Sequence, residues 1–322
     1  MRIAITGSTG FVGSNIAEVL TQFGHDVVGL VRREPERALL WSHQLVDFES
    51  EDSLAAALTG ADAVVHCAIA NDFNRLLVDR DYAYDSYVAM TQRVVRAANR
   101  NGAHVVYIST DWIMDGTGHQ EPETNFGNPL NYYGFLKSLS EQVIRDLAPE
   151  NGAVCRIAGV MGQHRAADQS PRSQDVGFGY FVDSMVRALR AGNTFGIYSG
   201  DYVNKVTSPS LAAEIGAQVE RVIARKAAGT FHLVGDDAIG RLELGQLACE
   251  VFGLDASLLR EVEPPVEERF PAPIPVDSSL GNAATKRALG LGPTPLRTLL
   301  EAFRDELDSG VIKTITKPER TN

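Results

Sequence analysis

The chain has 322 residues, 44% hydrophobic and 22% charged, an ordinary globular mixture that excludes disordered, collagen-like and coiled-coil classes. Its length predicts two domains or lobes. A formal net charge of −11 leaves no field to attract nucleic acid or an anionic membrane surface, although a few local cations could hold a small anionic substrate.

Arg2 to Ile5 is predicted as a strand and Phe11 to Phe23 as a helix. Val27 to Val31 is a second strand, Leu45 with Val46 a weak third, and Ala63 to Cys67 a fourth. A long helical pattern from about Leu76 to Arg100 leads to the strand Val105 to Ser109. A helix from about Leu130 to Leu147 precedes the strand Ala153 to Ile157. Strands alternating with helices this regularly imply βαβ units and an α/β fold with a doubly wound parallel sheet. After Ile157 the regularity breaks. Residues 158–178 read as a long loop over a site. Tyr180 to Arg190, Leu211 to Ile223, Leu242 to Phe252 and Pro295 to Leu307 read as helices, with strands near Phe195 to Ile197 and Thr230 to Val234. The expected division is a dinucleotide-binding domain over 1–157, a smaller C-terminal α/β substrate lobe over 158–312 with some segments returning to the sheet, and a frayed tail over 313–322.

Directly after the first strand comes Gly7-Ser8-Thr9-Gly10-Phe11-Val12-Gly13. A strand followed by glycines that open a helix is the context a Rossmann-type dinucleotide site needs. The first glycine makes the turn, the second lets a diphosphate approach the backbone, and the third packs helix on strand. Free N–H groups at the helix start face the phosphates. The spacing resembles the loop of short-chain dehydrogenase/reductases, particularly the extended branch. An acid at the end of the second strand would bind a free ribose 2′-hydroxyl, whereas Arg32-Arg33 stand there and suit a 2′-phosphate. The expected cofactor is therefore NADPH in preference to NAD. Asp47 and Phe48 follow the third strand at the adenine position of the superfamily. Cys67, Ala68 and Ile69 follow the fourth, where small residues let a cofactor lie on the backbone; His66 beside them is expected to pack rather than react.

Tyr133 and Lys137 lie four apart, on one face of a helix. A nearby cation lowers the phenol pKa, so that the tyrosine can exchange a proton. A third member should end the fifth strand, where either Ser109 or Thr110 could hold a carbonyl.

The runs YISTDWIMDG from Tyr107 and NPLNYYGFLKSLSEQ from Asn128 resemble dTDP-4-dehydrorhamnose reductase and its relatives. The resemblance implies Thr110 as the hydroxyl residue, Tyr133 as general acid and Lys137 as its partner. It also implies reduction of a 4-keto deoxysugar carbonyl, the sugar being nucleotide-linked. Arg156 and the strand from Gly229 extend the likeness. Three departures stand out. Gly159 replaces the ring that lies over the nucleotide base in that family, and Tyr87 stands where the superfamily carries an asparagine. Trp112 follows Thr110-Asp111 where dehydratases carry a glutamate, so elimination of water has no evident acid.

Asp111, Trp112, Arg165, Arg172 and Lys205 are candidate substrate contacts, and Tyr180 or Phe181 candidate stacking rings. No metal spacing stands out among the seven histidines, and no G-x-S-x-G elbow is present. Cys67, Cys155 and Cys249 are too few for a disulfide framework and predict a reducing compartment. With no secretory pattern or long apolar run, the expected location is the cytoplasm. A homodimer is compatible with the sequence. Two other readings are a reductase or epimerase of a non-nucleotide carbonyl compound, and a cofactor-binding regulatory subunit without turnover. The intact Thr110, Tyr133 and Lys137 set argues against the last.

Overall fold

A computed structural model describes residues 1–70, 73–167 and 174–319. The first half runs β1 (Arg2–Thr6), α1 (Phe11–Gln22), β2 (Asp26–Val31), β3 (Ser42–Leu45), α2 (Glu51–Ala57), β4 (Ala63–His66), α3 (Phe73–Val78), α4 (Arg80–Tyr84), α5 (Met90–Asn101), β5 (His104–Thr110), α6 (Tyr132–Leu147) and β6 (Gly152–Ile157). The second runs β7 (Val160–Met161), α7 (Phe181–Arg190), β8 (Phe195–Tyr198), β9 (Val206–Thr207), β10 (Ser210–Leu211), α8 (Ala212–Ala224) and β11 (Gly229–His232). It ends with β12 (Ile239–Gly240), α9 (Arg241–Phe252), β13 (Leu259–Val262), α10 (Ala283–Leu289) and α11 (Leu296–Ser309).

Strands rich in Val and Ile are stable only where both faces are covered, as in a parallel sheet. Here seven strands in the order β11-β6-β5-β4-β1-β2-β3 are all parallel. Side chains alternate between the faces. Ile3 and Ile5 pack with Ile16, Leu20, Ile215 and Val219 of α1 and α8, whereas Ala4 joins Leu54, Val94 and Val95 of α2 and α5. The order reverses between β1 and β4, and at that point a crevice opens beyond the carboxyl ends of the strands. A separate core of Phe181, Met185, Ile197, Leu244, Leu259 and Phe303 holds the second lobe.

The doubly wound sheet follows the expected architecture, with two corrections. The single helix expected from Leu76 to Arg100 is broken. The Asp79 carboxylate accepts the Tyr82 N–H at 3.0 Å and starts a new helix, and Asp85–Ala89 form a π-helical turn before α5. From the second half β11 pairs with β6 and α8 covers α1, so the first 157 residues form an incomplete layer.

The tail expected to fray over 313–322 is docked as far as it is described, to Glu319. The buried Glu214 carboxylate accepts the N–H groups of Ile315 (2.9 Å) and Thr316 (3.2 Å), Glu220 accepts that of Glu319, and Arg221 and Arg225 pair with the Glu319 side chain. Burial raises the Glu214 pKa, and the two N–H groups oppose that shift. Glu214→Ala should lower the free energy of unfolding in urea by about 1–3 kcal/mol, the cost of orphaned buried groups. In a chain ending at Gly310, which has no tail to hold, the same substitution should cost much less.

Candidate active site

A cleft of about 1220 Å³ opens at the reversal point, bounded by the glycine loop, the ends of β2 to β5, the start of α6 and the segment around 175–180. Gly7 has φ 71°, and a Cβ on it would come within 2.8 Å of the Ala68 backbone nitrogen; one on Gly13 would overlap the Gly7 carbonyl. The loop is thus a cradle that side chains would fill. Gly10, the N-cap of α1, leaves the first N–H groups of a twelve-residue helix facing the cleft. Gly7, Thr9, Gly10, Phe11, Val12 and Gly13 line it, while Ser8 is fully buried beneath. Arg32, Asp47, Phe48, Cys67, Ala68 and Ile69 line it further on, whereas Arg33 points to solvent outside the lining. Arg93 adds a cation that sequence reasoning missed; it donates to the Phe48 carbonyl at 2.8 Å and to Asp85 at 2.9 Å. The cradle and the helix start together fit the diphosphate of a dinucleotide.

At the far side, the two hydroxyls that spacing alone left open separate. Ser109 turns under the sheet and donates to Glu141 at 2.6 Å, whereas Thr110 lines the cleft and its side chain is hydrogen-bonded to that of Tyr133. The Asn131 side chain caps α6 by accepting the Gly134 N–H at 2.9 Å, which aims Tyr133 from the first turn. Gly134 has no alternative, because a Cβ there would overlap the Trp112 carbonyl. One turn on, the buried Lys137 donates to the Ile108 carbonyl at 2.5 Å, with Nζ 4.3 Å from the Tyr107 ring centroid. Burial pushes the Lys137 pKa down to about 7, against Glu141 and Cys67, which raise it. Burial lifts that of Tyr133 to about 12, so the phenol holds its proton at neutral pH.

Asp111 and Trp112 also line the cleft. The buried Asp111 accepts hydrogen bonds from Thr110 and Ser278, and burial raises its pKa to about 7. The Trp112 ring stands edge-on to Tyr133 and to Phe270. His66 packs, as expected: its ring bonds Thr6 and Thr91, and burial lowers its pKa to about 3. Tyr87 is buried in the π-helical turn and donates to the Ala70 carbonyl at 2.8 Å.

Two of the charged candidates fall elsewhere. Arg165 lies outside the lining, 3.3 Å from Glu18 and 4.0 Å from Glu306, whose pKa burial raises to about 7. Lys205 pairs with Asp201 at 3.3 Å on the surface. Arg172 lies outside the described residues. Phe181 is buried in the second core, while Tyr180 lines the cleft.

Asp175, Glu268 and the brace behind 175–180 were missed in the sequence. Asp175 Oδ1 accepts from Gly177 and Gly179, both at 2.7 Å. The Arg241 guanidinium donates to the carbonyls of Asp175, Val176 and Asn204 and lies 4.2 Å from the Phe178 ring centroid. Phe178 and Tyr180 have φ of 67° and 54°, left-handed conformations that cost non-glycine residues about 1–2 kcal/mol each. Among the described residues no group of three His, Cys, Asp or Glu side chains could hold a metal ion, and no helix is long and apolar enough to cross a membrane.

The profile of the family described as RmlD substrate binding domain matches residues 1–309. A probable low-salt glycan biosynthesis reductase of Haloferax volcanii is 26% identical over 79% of this chain and 81% of its own. A dTDP-4-dehydrorhamnose reductase of Mycolicibacterium smegmatis is 25% identical over 98% and 88%. The crystal structure of the Bacillus anthracis dTDP-4-dehydrorhamnose reductase in complex with NADP shares the fold, with a TM-score of 0.74 at 20% identity over 95% of this chain and 98% of that one.

The site depends on the Glu141–Arg156 pair, both side chains fully buried and 2.8 Å apart. Arg156→Met strands a buried carboxylate and should cost about 3–5 kcal/mol in urea unfolding. Adding Glu141→Leu should recover most of that loss.

Proposed function

The chain belongs to the RmlD substrate-binding-domain family, and from that premise we propose that it is an NADPH-dependent ketoreductase that reduces the carbonyl of a nucleotide-linked 4-keto deoxysugar. It is an NAD(P)-dependent oxidoreductase of the extended short-chain type. The observation that carries the finer reading is the meeting of the Thr110 and Tyr133 side chains at the carboxyl edge of the sheet, above a buried Lys137 and beside the glycine cradle.

The glycine loop and the start of α1 would hold the cofactor diphosphate, and Arg32 its 2′-phosphate. The nicotinamide, when bound, supplies hydride to the carbonyl carbon. Thr110 and Tyr133 bring two hydroxyls together, so that a carbonyl oxygen bound there is polarised by Tyr133 and, once the Thr110 hydroxyl turns from Asp111, by Thr110 as well. As negative charge develops on that oxygen, Tyr133 gives it the phenolic proton. A phenol whose pKa lies near 12 keeps that proton until a more basic alkoxide takes it. The Lys137 cation stabilises the phenolate left behind. Asp111 and Trp112 wall the sugar side.

One observation favours a second reading, in which the carbonyl compound carries no nucleotide. Among the described residues the cations lining the cleft are Arg32, Arg93 and Lys137, all at the cofactor or the catalytic group, with none at the substrate end.

Tyr133→Phe keeps the ring and removes the proton, so folding should persist while turnover falls at least about 100-fold. In the unmodified enzyme kcat/KM for the ketone should fall as pH rises past about 7. Burial disfavours the Lys137 ammonium, so its proton is present below that pH and lost above it. Lys137→Arg should move that limb to higher pH, and a limb that stays in place would assign it to another group, such as Asp111.

Arg32→Ala should weaken NADPH binding about tenfold or more and leave NADH nearly unchanged, read by fluorescence titration, as for loss of one charge-assisted phosphate bond. Equal affinity of the unmodified protein for NADPH and NADH would remove the cofactor preference.

A further inference from the structure

Glu268 and Phe270 line the cleft from a segment unlike the rest of its wall. Strand β13 ends at Val262, whose carbonyl accepts the Ser199 N–H at 2.8 Å, and the chain rejoins the body at Val276, whose carbonyl accepts the Lys205 N–H at 2.8 Å. In between, Pro264 and Ile274 are buried, while residues 265–268 are exposed. Among the described residues, the backbone bonds of this stretch are confined to its own turn, Glu268 to Pro265 at 3.0 Å and Arg269 to Val266 at 3.3 Å. Pro264, Pro265, Pro271, Pro273 and Pro275 have no N–H to give to a strand ladder, and their fixed φ makes the stretch stiff.

Side chains hold it instead. The hydroxyl of the buried Tyr198, on β8, donates to the Glu268 carboxylate. The Arg269 guanidinium lies 4.0 Å over the Tyr202 ring and bonds Glu263 at 2.9 Å. The Phe270 ring stands edge-on to Trp112 with centroids 5.2 Å apart, and Trp112 stands edge-on to Tyr133 at 6.1 Å. Trp112 is wedged in place from the other side, since a Cβ on Gly177 would come within 2.5 Å of its ring. The far end of the segment is pinned by Asn131, which donates to the Pro273 carbonyl at 3.0 Å, and by Asn204, which donates to that of Pro275 at 2.7 Å. A stiff arm anchored at both ends and tied down by side chains in the middle opens at low cost, because no backbone ladder has to be released.

We propose that residues 265–273 form a lid over the cleft beside Tyr133, and that the bond from Tyr198 to Glu268 is its latch. Lifting the lid withdraws Glu268 and Phe270 from the wall and uncovers Trp112, which admits the substrate. Closed, it covers Trp112 and with it one flank of Tyr133, keeping water from that side of the proton donor. What the lid encloses rests on the ketoreductase reading; that it opens does not.

The test is trypsin cleavage of the native full chain saturated with NADP, followed by mass spectrometry at the Arg269–Phe270 bond. Cleavage there follows the population of the open lid. Tyr198→Phe keeps the ring and removes only the latch hydroxyl; it should speed cleavage at Arg269 about tenfold or more, as for loss of a charge-assisted bond, and leave cleavage elsewhere unchanged. Glu268→Gln, which still accepts the hydroxyl but without charge, should fall between the two. A dTDP-linked 4-keto-6-deoxyhexose added with NADP, a pair that cannot react, should slow cleavage at Arg269 severalfold. In turnover with NADPH the Tyr198→Phe defect should fall on KM, with kcat within about twofold. Cleavage at Arg269 unchanged in Tyr198→Phe, or faster only in step with every other site, would overturn the latch. A keto sugar that the enzyme reduces but that gives no protection would overturn the lid. A parent protein that reduces no keto sugar would overturn the ketoreductase reading, whereas faster cleavage at Arg269 in Tyr198→Phe, which needs no substrate, would still support the latch.

Discussion

Arg156 on β6 and Glu141 on α6 form an ion pair from which water is wholly excluded. Two guanidinium nitrogens bond the carboxylate, at 3.0 and 2.8 Å, and the third donates to the Asn125 carbonyl. The remaining demand of the carboxylate is met by Ser109 at the end of β5 and by Arg145 one turn along the helix. A buried charge is tolerable only when satisfied this completely. The cluster therefore admits one register of α6 against β5 and β6. Tyr133 and Lys137 ride on that helix, two turns and one turn before Glu141, so the position of these two cleft residues is inherited from a pair outside the cleft lining.

The same pair sets the electrostatics of its neighbour. Lys137 is buried, and alone its ammonium would lose its proton readily; the charge of Glu141 partly restores it. His66 and Cys67 nearby are neutral groups, the first with its pKa lowered and the second with its pKa raised to about 12 by burial. Lys137 thus lies in surroundings of low polarity, where its charge and that of Glu141 act on each other strongly.

The parts of this protein legible in its sequence are those governed by short range. The glycine cradle, the strands around it and the tyrosine–lysine spacing all follow from local periodicity and backbone sterics. Choosing between Ser109 and Thr110 took either a family resemblance or the strand's pleat, because adjacent residues on a strand face opposite ways. What stayed hidden depends on contacts far apart in the chain. Arg165 looked like a cleft cation until Glu18 and Glu306, one from each end of the chain, closed around it. Arg241 opens α9 yet braces a turn some sixty residues earlier. The tail from Val311 to Glu319 looked loose because Glu214, Arg221 and Arg225 on α8, its partners, read as an ordinary charged helix face.

The late return of β11 to the edge of the sheet bears on how the chain is made. As synthesis proceeds from the N-terminus, β6 emerges with its outer row of backbone groups unpaired, and α1 has only one side covered. Its other side waits for α8, whose Gly216 lets the two helices touch at Ile16 and Val19. An unpaired parallel edge is a template for other chains. The whole second lobe as far as β11 must therefore leave the ribosome before the nucleotide-binding layer is sealed. A fragment cut at the apparent domain boundary would carry the glycine loop, the tyrosine and the lysine, and would still be a sticky, half-closed sheet.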